Sequence, residues 1–420
     1  MDARRGGDED VRKPGVLVIH NFYRQAGGED TVVRAEVALL RQHGHRVVEY
    51  VRDNAAIDGF GLMRKASLML STTWNQQVYA ELRQLIRTER ADVAHCHNLM
   101  PLISPSAYYA CHAESVPVVQ TLHNFRMCCP AGTLFRDGAA CENCDGRLGR
   151  AAVRGCYRNS SAQTAAVALT LGTHRVIKTW ETAVDSYSVP SQFCLEHMVA
   201  GGIRRGKITL RPNFLLNDPG PRDASADYVI FVGRLCVEKG IRQLLWAWRR
   251  LRRIPLVIVG DGPLRGETET YIERNGMENV CLRGALPPAE TQALIREARF
   301  LVFPSVGYET FGMTVLEAAA CGVATLGSCL GAVPELIDEE RTGLLFDPHD
   351  TEELAGKAEW AWLHPEAMNE MGTAARSQYL QKYTAEKNYE ALNEIYGSVL
   401  GARRTPVAFG GVQCPAEKCG

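Results

Sequence analysis

Residues 300–318 read Phe300-Leu301-Val302-Phe303-Pro304-Ser305-Val306-Gly307-Tyr308-Glu309-Thr310-Phe311-Gly312-Met313-Thr314-Val315-Leu316-Glu317-Ala318. An apolar run ends at Pro304, a short loop follows, and a helical pattern starts near Thr314. Strand, loop and helix in that order form the unit of a parallel sheet covered by helices. The same stretch suggests a site. Gly312 lets the backbone approach a ligand at a helix N-terminus, where unpaired N–H groups and the helix dipole favour a phosphate. Glu309 lies in the loop and Glu317 lies inside the helix. An anion cradle flanked by two hydrogen-bond acceptors suits a sugar joined to a nucleotide.

The strand–helix alternation extends outward through almost the whole chain. In the first half, strands are expected at 16–20, 46–52, 93–95, 116–121, 186–189 and 207–211. Helices are expected at 29–43, 61–87, 104–112, 162–182 and 192–200. The second half places strands at 228–233, 256–260, 280–284, 301–304 and 324–327, with helices between them, and reads as wholly helical over 351–400. Two comparable halves predict an α/β fold of two doubly wound domains facing each other across a cleft. The divisions expected are a disordered leader at 1–13, a first domain at 14–212 with a Cys-rich insert at 126–158, and a linker at 213–227. A second domain follows at 228–383, then a helix at 384–400 and a loose tail at 401–420. The linker is marked by its Pro, Asp and small residues.

Composition is that of a globular protein: 420 residues, 46% hydrophobic and 23% charged. No apolar run approaches the ~20 residues that cross a bilayer. The polar first 13 residues lack the apolar core of a secretory signal. A cytoplasmic location follows as the expectation. The net charge of −1 conceals an asymmetry: residues 1–212 hold 26 Lys and Arg against 20 Asp and Glu. A basic first half suits an acidic substrate or peripheral contact with an anionic inner membrane surface. The alternative is an ordinary imbalance of solvated charges. With no dense basic block, nucleic acid is not an expected partner. The amphipathic stretch 60–90 is expected to be buried within its domain rather than membrane-facing.

Gly233-Arg234-Leu235-Cys236-Val237-Glu238-Lys239-Gly240 follows one strand of the second half and opens a helix. Arg234 can fork two phosphate oxygens and Lys239 adds a point charge, which suits a diphosphate. With Gly260-Asp261-Gly262-Pro263, Glu309…Phe311-Gly312…Glu317-Ala318…Cys321-Gly322, Gly331…Pro334-Glu335 and Thr342-Gly343-Leu344-Leu345, this segment resembles the retaining glycosyltransferases of family 4. The resemblance is dense over 228–347 and looser elsewhere. It implies a GT-B fold whose last helix crosses back to the first domain. It also implies a nucleotide-diphosphate sugar donor (UDP- or GDP-linked) and transfer to a hydroxyl on a sugar or lipid-linked acceptor, in polysaccharide, glycolipid or glycoconjugate synthesis.

By that resemblance Arg234 and Lys239 neutralise the diphosphate, and Glu309 holds donor-sugar hydroxyls near the reacting face. Phe311, Gly312 and Met313 present backbone groups to sugar and phosphate, Glu317 bonds the ribose, and Gly233 and Gly284 belong to the donor-binding set. Gly27 and Gly28, in the loop after the first strand, correspond to a glycine pair close to the donor; the alternative is that they serve only the turn. His123, at a strand end, matches a histidine that contacts the donor sugar. His95 and His97 share one strand face and are expected to shape the acceptor side, a metal pair being the alternative. No Asp-x-Asp motif stands inside the domains, so no catalytic metal is expected.

Cys129, Cys141, Cys144 and Cys156 have spacing that suits a structural zinc, with free thiols or a disulfide as the alternatives. Two other functional classes compete with a transferase. One is a GT-B enzyme of different chemistry, such as a nucleotide-sugar epimerase or phosphorylase. The other is a non-catalytic nucleotide-sugar-binding protein. A simple oxidoreductase is disfavoured because the dinucleotide fingerprint is missing.

Overall fold

The computed structural model describes residues 12–404 apart from 25–26, 145–146 and 224. Most of the expected leader, and the tail beyond 404, lie outside the described residues. Two six-stranded parallel sheets carry the fold. The first contains β1 (Val16–Phe22), β2 (Val47–Asp53), β3 (Val93–Cys96) and β4 (Val118–Thr121). After a small antiparallel hairpin, β5 (Phe135–Arg136) and β6 (Ala139–Ala140), it is completed by β7 (Ser186–Val189) and β8 (Ile208–Leu210). Its order is β2-β1-β3-β4-β7-β8. The second contains β9 (Val229–Val232), β10 (Leu256–Val259), β11 (Val280–Gly284), β12 (Leu301–Phe303), β13 (Thr325–Ser328) and β14 (Gly343–Phe346), in the order β11-β10-β9-β12-β13-β14.

Strands buried on both faces read as continuous apolar runs because helices cover both sides. Side-chain alternation splits β1 between two cores. Leu17 and Ile19 enter one cluster, while Val16 and Val18 enter the other. That second cluster is shared with the last helix, Ala385–Arg404, through Tyr389, Leu392, Ile395, Tyr396 and Val399. Burying each such side chain contributes about 1.5–3 kcal/mol, so the chain's last helix is fastened to the first domain. It runs past the expected end at 400, through Gly401, into Ala402, Arg403 and Arg404, which are good helix formers.

The segment 213–227 is strapped down along its length. Phe214 is buried with the last helix, Asp218 pairs with Arg376 at 2.5 Å, and Arg222 donates to the Ala298 carbonyl at 2.8 Å. The helix expected over 61–87 is two helices, Leu62–Ser71 and Gln76–Glu89. Asn75 caps the second by accepting from the Val78 amide. The first of these is exposed rather than buried, with Met63 at 89% and Leu70 at 72%. The helix expected over 162–182 also divides, at Ile177 and a left-handed Lys178. β14 was not expected as a strand. Within the insert the structure adds the β5–β6 hairpin and a helix, Leu148–Arg154.

Candidate active site

Both sheets reverse strand order beside their first strand, between β1 and β3 and between β9 and β12. Loops leaving the carboxyl ends of strands diverge at such a point and leave a crevice. In the second sheet the loop after β9 carries Gly233, Arg234 and Lys239, and the loop after β12 carries Glu309. Their backbones are locked together: the Val306 and Gly307 amides donate to the Glu238 carbonyl at 2.9 and 3.0 Å. Gly240 makes this possible. Its φ is +71°, and a Cβ there would stand 1.7 Å from the Pro304 oxygen.

This packing brings Lys239 to Glu309, Nζ to Oε1 at 2.6 Å, and Ser305 Oγ donates to the same oxygen at 2.7 Å. Burial alone would lower the Lys239 pKa, but the Glu309 carboxylate overrides it and the net shift is upward. Arg234 is exposed on the adjoining loop. Gly312 caps the helix Met313–Ala320 at φ +114°, a conformation that favours glycine. The Phe311 side chain is not at the cleft surface; it is buried against Phe303, Val315 and Tyr383. Glu317 is half-buried in that helix, and burial pushes its carboxyl up to about 7. Gly284 ends the edge strand β11, with Arg265 Nη1 3.1 Å from where its Cβ would lie. It is separated from the Glu309 loop by β10 and β9.

The first domain meets this wall directly. Thr310 Oγ1 donates to the His123 carbonyl at 3.0 Å, and Ser191 Oγ donates to the Thr310 carbonyl at 2.7 Å. Glu335 accepts from the Gln192 and Phe193 amides at 2.8 and 2.7 Å. A carboxylate from the second domain thus caps a helix of the first, where the helix dipole favours it. Gly28 faces the second domain as well, a Cβ on it lying 3.6 Å from Met313 Cγ. Gly27 has ordinary extended geometry, φ −136°, and open space around it. Its turn therefore does not require glycine.

His123 lines a small cavity of about 60 Å³ with Glu29, His97, Asn124 and Arg126. The Glu29 carboxylate accepts from Tyr23 Oη at 3.0 Å and Asn124 Nδ2 at 3.2 Å. Behind His123 lies a buried polar network that the sequence reading did not anticipate. His97 Nδ1 meets His123 Nε2 at 2.9 Å. His97 Nε2 lies 3.3 Å from Glu36 Oε1, and Arg211 Nη2 donates to Glu36 Oε2 at 2.6 Å. Burial would raise the Glu36 carboxyl, but Arg211, with His95 and His97, holds it well below the usual range. The available signal was Glu36 itself, a charged residue on the buried face of a helix among Val32, Val33, Val37 and Leu40.

Glu36, His95 and His97 place one possible ligand atom each within 4.8 Å of one another. A divalent ion there would lie beside the Arg211 guanidinium, with a single carboxylate to balance both charges in a fully buried place. Desolvation disfavours that arrangement. Arg211 with Glu36 is already a neutral pair, and His95 Nδ1 and His97 Nε2 stand 2.8 and 3.3 Å from Glu36 Oε1. Cys129, Cys141, Cys144 and Cys156 line one cavity with Cys128, Arg136 and His197. Burial raises the Cys144 thiol, and Cys129, Cys156 and Cys141 add to the shift. Among the described residues these sulfurs do not form a group within the 4.8 Å that Glu36, His95 and His97 satisfy.

Residues 26–215 match the family model described as Glycosyltransferase Family 4, and residues 226–362 the model described as Glycosyl transferases group 1. The O-antigen chain mannosyltransferase C of Escherichia coli is 30% identical over 179 residues, covering 42% of this chain and 48% of that protein. A GDP-mannose-dependent alpha-mannosyltransferase of Corynebacterium glutamicum is 35% identical over 190 residues, covering 45% and 44%. The chain spans about half the length of the curated relatives it matches. Among solved structures, sucrose-phosphate synthase from Thermosynechococcus elongatus superposes with a TM-score of 0.67 at 18% identity, over 93% of this chain and 100% of that one. Anabaena HepE in complex with UDP gives 0.64 at 16% identity, over 91% and 100%.

Proposed function

The chain belongs to glycosyltransferase family 4 and has the GT-B fold, and we propose that it transfers a sugar from a nucleotide diphosphate to an acceptor hydroxyl with retention of configuration. The observation that carries this reading is the pairing of Lys239 with Glu309 at 2.6 Å on a loop that also holds the His123 backbone. The Lys239–Glu309 pair thereby lies on a loop that touches the His123 backbone where the two domains meet. In the proposed reaction the bond between the anomeric carbon and the diphosphate oxygen breaks. The acceptor oxygen bonds to that carbon on the same face, and its proton passes to the leaving phosphate.

Lys239 and Arg234 would stabilise the charge on the leaving diphosphate, together with the dipole of the helix Met313–Ala320. Glu309 would accept from sugar hydroxyls once a phosphate draws Lys239 away. Glu317 would accept from the ribose. Contact between the domains would exclude water and limit hydrolysis. These groups supply the electrostatic stabilisation without a divalent ion, so activity is expected to persist in EDTA.

Relatives named as mannosyl- and other glycosyltransferases make GDP- and UDP-sugars the donors to try first. The test is a panel of these with simple glycoside acceptors, reading acceptor-dependent nucleotide release and the anomeric configuration of the product. Nucleotide release without any acceptor product, or an inverted product, would overturn the proposal. Lipid-linked acceptors are favoured by the helix Leu62–Ser71, which exposes Met63 and Leu70 beside Arg64 and Lys65. Apolar side chains fringed by cations suit an anionic lipid surface. No helix among the described residues is long and apolar enough to cross a membrane.

A further inference from the structure

His123 stands at the outer end of a row of buried groups, and the hydrogen-bonding capacity of each limits the next. Arg211 can only donate; it donates to Glu36 Oε2. Burial would raise the Glu36 carboxyl, but the Arg211 charge, with His95 and His97, holds it well below its usual range and so ionised. Glu36 Oε1 then needs donors. It stands 2.8 Å from His95 Nδ1 and 3.3 Å from His97 Nε2. The His97 contact is off the line of a well-formed hydrogen bond, and His97 Nε2 has no other partner. Were His97 unprotonated at Nε2, two lone pairs would face each other in a place closed to water. That arrangement leaves a buried polar group unsatisfied, which a fold avoids. The proton therefore belongs on His97 Nε2, and His97 Nδ1 is a lone pair.

The rings of His97 and His123 lie within 20° of coplanar, so a lone pair and an N–H can meet in plane. Burial, then the neighbouring His95, lowers the His97 pKa to about 3, and burial also holds His123 well below its ordinary value. Both rings are thus neutral near pH 7, and each carries one ring proton.

We propose that Glu36 and His97 are positioning residues that dictate the tautomer of His123: His123 donates from Nε2 to His97 Nδ1, and its Nδ1 is kept as a lone pair in the cleft. This nitrogen can accept from a hydroxyl but cannot donate to one, so the ring is preset to orient a sugar hydroxyl that donates. That consequence rests on the cleft's sugar-binding reading; the tautomer itself does not.

The test uses the full chain with ¹⁵N-labelled histidine and no added nucleotide, by long-range ¹H–¹⁵N correlation at pH 7.5. His97 and His123 should both carry the proton on Nε2. The His123 Nε2 proton should show coupling across the hydrogen bond to His97 Nδ1. In Glu36→Gln, Arg211 retains the amide oxygen, so the amide NH₂ faces His97 Nε2. His97 must then accept there, protonate at Nδ1 and donate to His123, which inverts to the Nδ1–H form. A wild-type His123 protonated on Nδ1, an absent coupling, or an unchanged His123 tautomer in folded Glu36→Gln overturns the proposal. The wild-type measurements stand alone if that variant does not fold. A protein that transfers no sugar would still give the tautomer result, so failure of the enzymatic reading is distinguishable.

Discussion

Lys239 and Glu309 occupy each other where a charged substrate would compete for both. Replacing either with Ala removes a group poised for the transition state, yet the pair is partly solvated, with side chains 29% and 16% exposed. Such pairs contribute little to folding, about 0–1 kcal/mol, whereas loss of one preorganised electrostatic group costs about 10²–10³ in kcat. Lys239→Ala and Glu309→Ala should therefore lose transfer by at least that factor while the melting temperature scarcely moves; full activity in either would sink the assignment. Glu317 gives the opposite signature. Its pKa is raised to about 7 in the fold, so between its unfolded value and 7 the folded state binds more protons. Stability then falls as pH rises through that window. Glu317→Gln should gain about 1 kcal/mol or more at pH 8 relative to pH 5, read by thermal melts at both values, and should weaken nucleotide binding. Glu309, Lys239 and Glu317 could be singled out as candidates because each sits in or just after a loop that follows a strand, close in sequence to its own strand–helix unit. Glu36 and His97 were not, because their roles depend on Arg211 and His123, brought in from β8's end and β4's end.

The insert is the element whose character was least legible. Two-residue strands and a seven-residue helix carry too short a pattern for periodicity to reveal. It reaches the loop after β12: Tyr308 Oη donates to Glu142 Oε1 at 2.8 Å, and Phe135 packs against Gly307. The four thiols line one cavity but are not gathered within 4.8 Å of one another; we propose that zinc, when bound, draws them together and fastens this element. Metal analysis of purified protein should find about one zinc per chain, a tetrahedral Cys₄ site needing a single ion. Cys144→Ser should lose it together with thermal stability. Metal-free protein with all four thiols titratable would refute the zinc reading. Two long expected helices proved to be broken, at Thr72–Asn75 and at Ile177–Lys178. The first helix ends at Thr72 and Asn75 starts a new one as its N-cap, and a left-handed Lys178 follows the C-cap Ile177, so each run breaks where apolar periodicity alone would continue it. β14 escaped notice because its four residues overlap Thr342-Gly343-Leu344-Leu345, a stretch read for its family resemblance rather than as a strand.

Across the whole molecule the domains are joined by hydrogen bonds and by Tyr308 packed among Phe125, Phe193 and His197, and the Glu335 cap on Gln192–Ala200 is the most local of these contacts to test. Glu335→Ala removes two charge-assisted bonds, worth about 1.5–3 kcal/mol together at this exposed position. The expected result is a more open average shape by small-angle scattering and a raised KM for the donor, with each domain's secondary structure intact. Unchanged scattering and KM would show that the cap does not control closure. Alternation of apolar strands with amphipathic helices determined two parallel-sheet domains, since only a sheet covered on both faces can bury such runs. Glycines and charged groups at strand ends marked the proposed donor wall, because close backbone approach and anion binding need those residue types locally. Only the tertiary structure decided that Lys239 meets Glu309, that Glu335 caps the other domain, and that Arg211 and Glu36 stand behind His123. Those contacts join residues 70 to 175 positions apart, and no local propensity encodes a hydrogen bond across that separation.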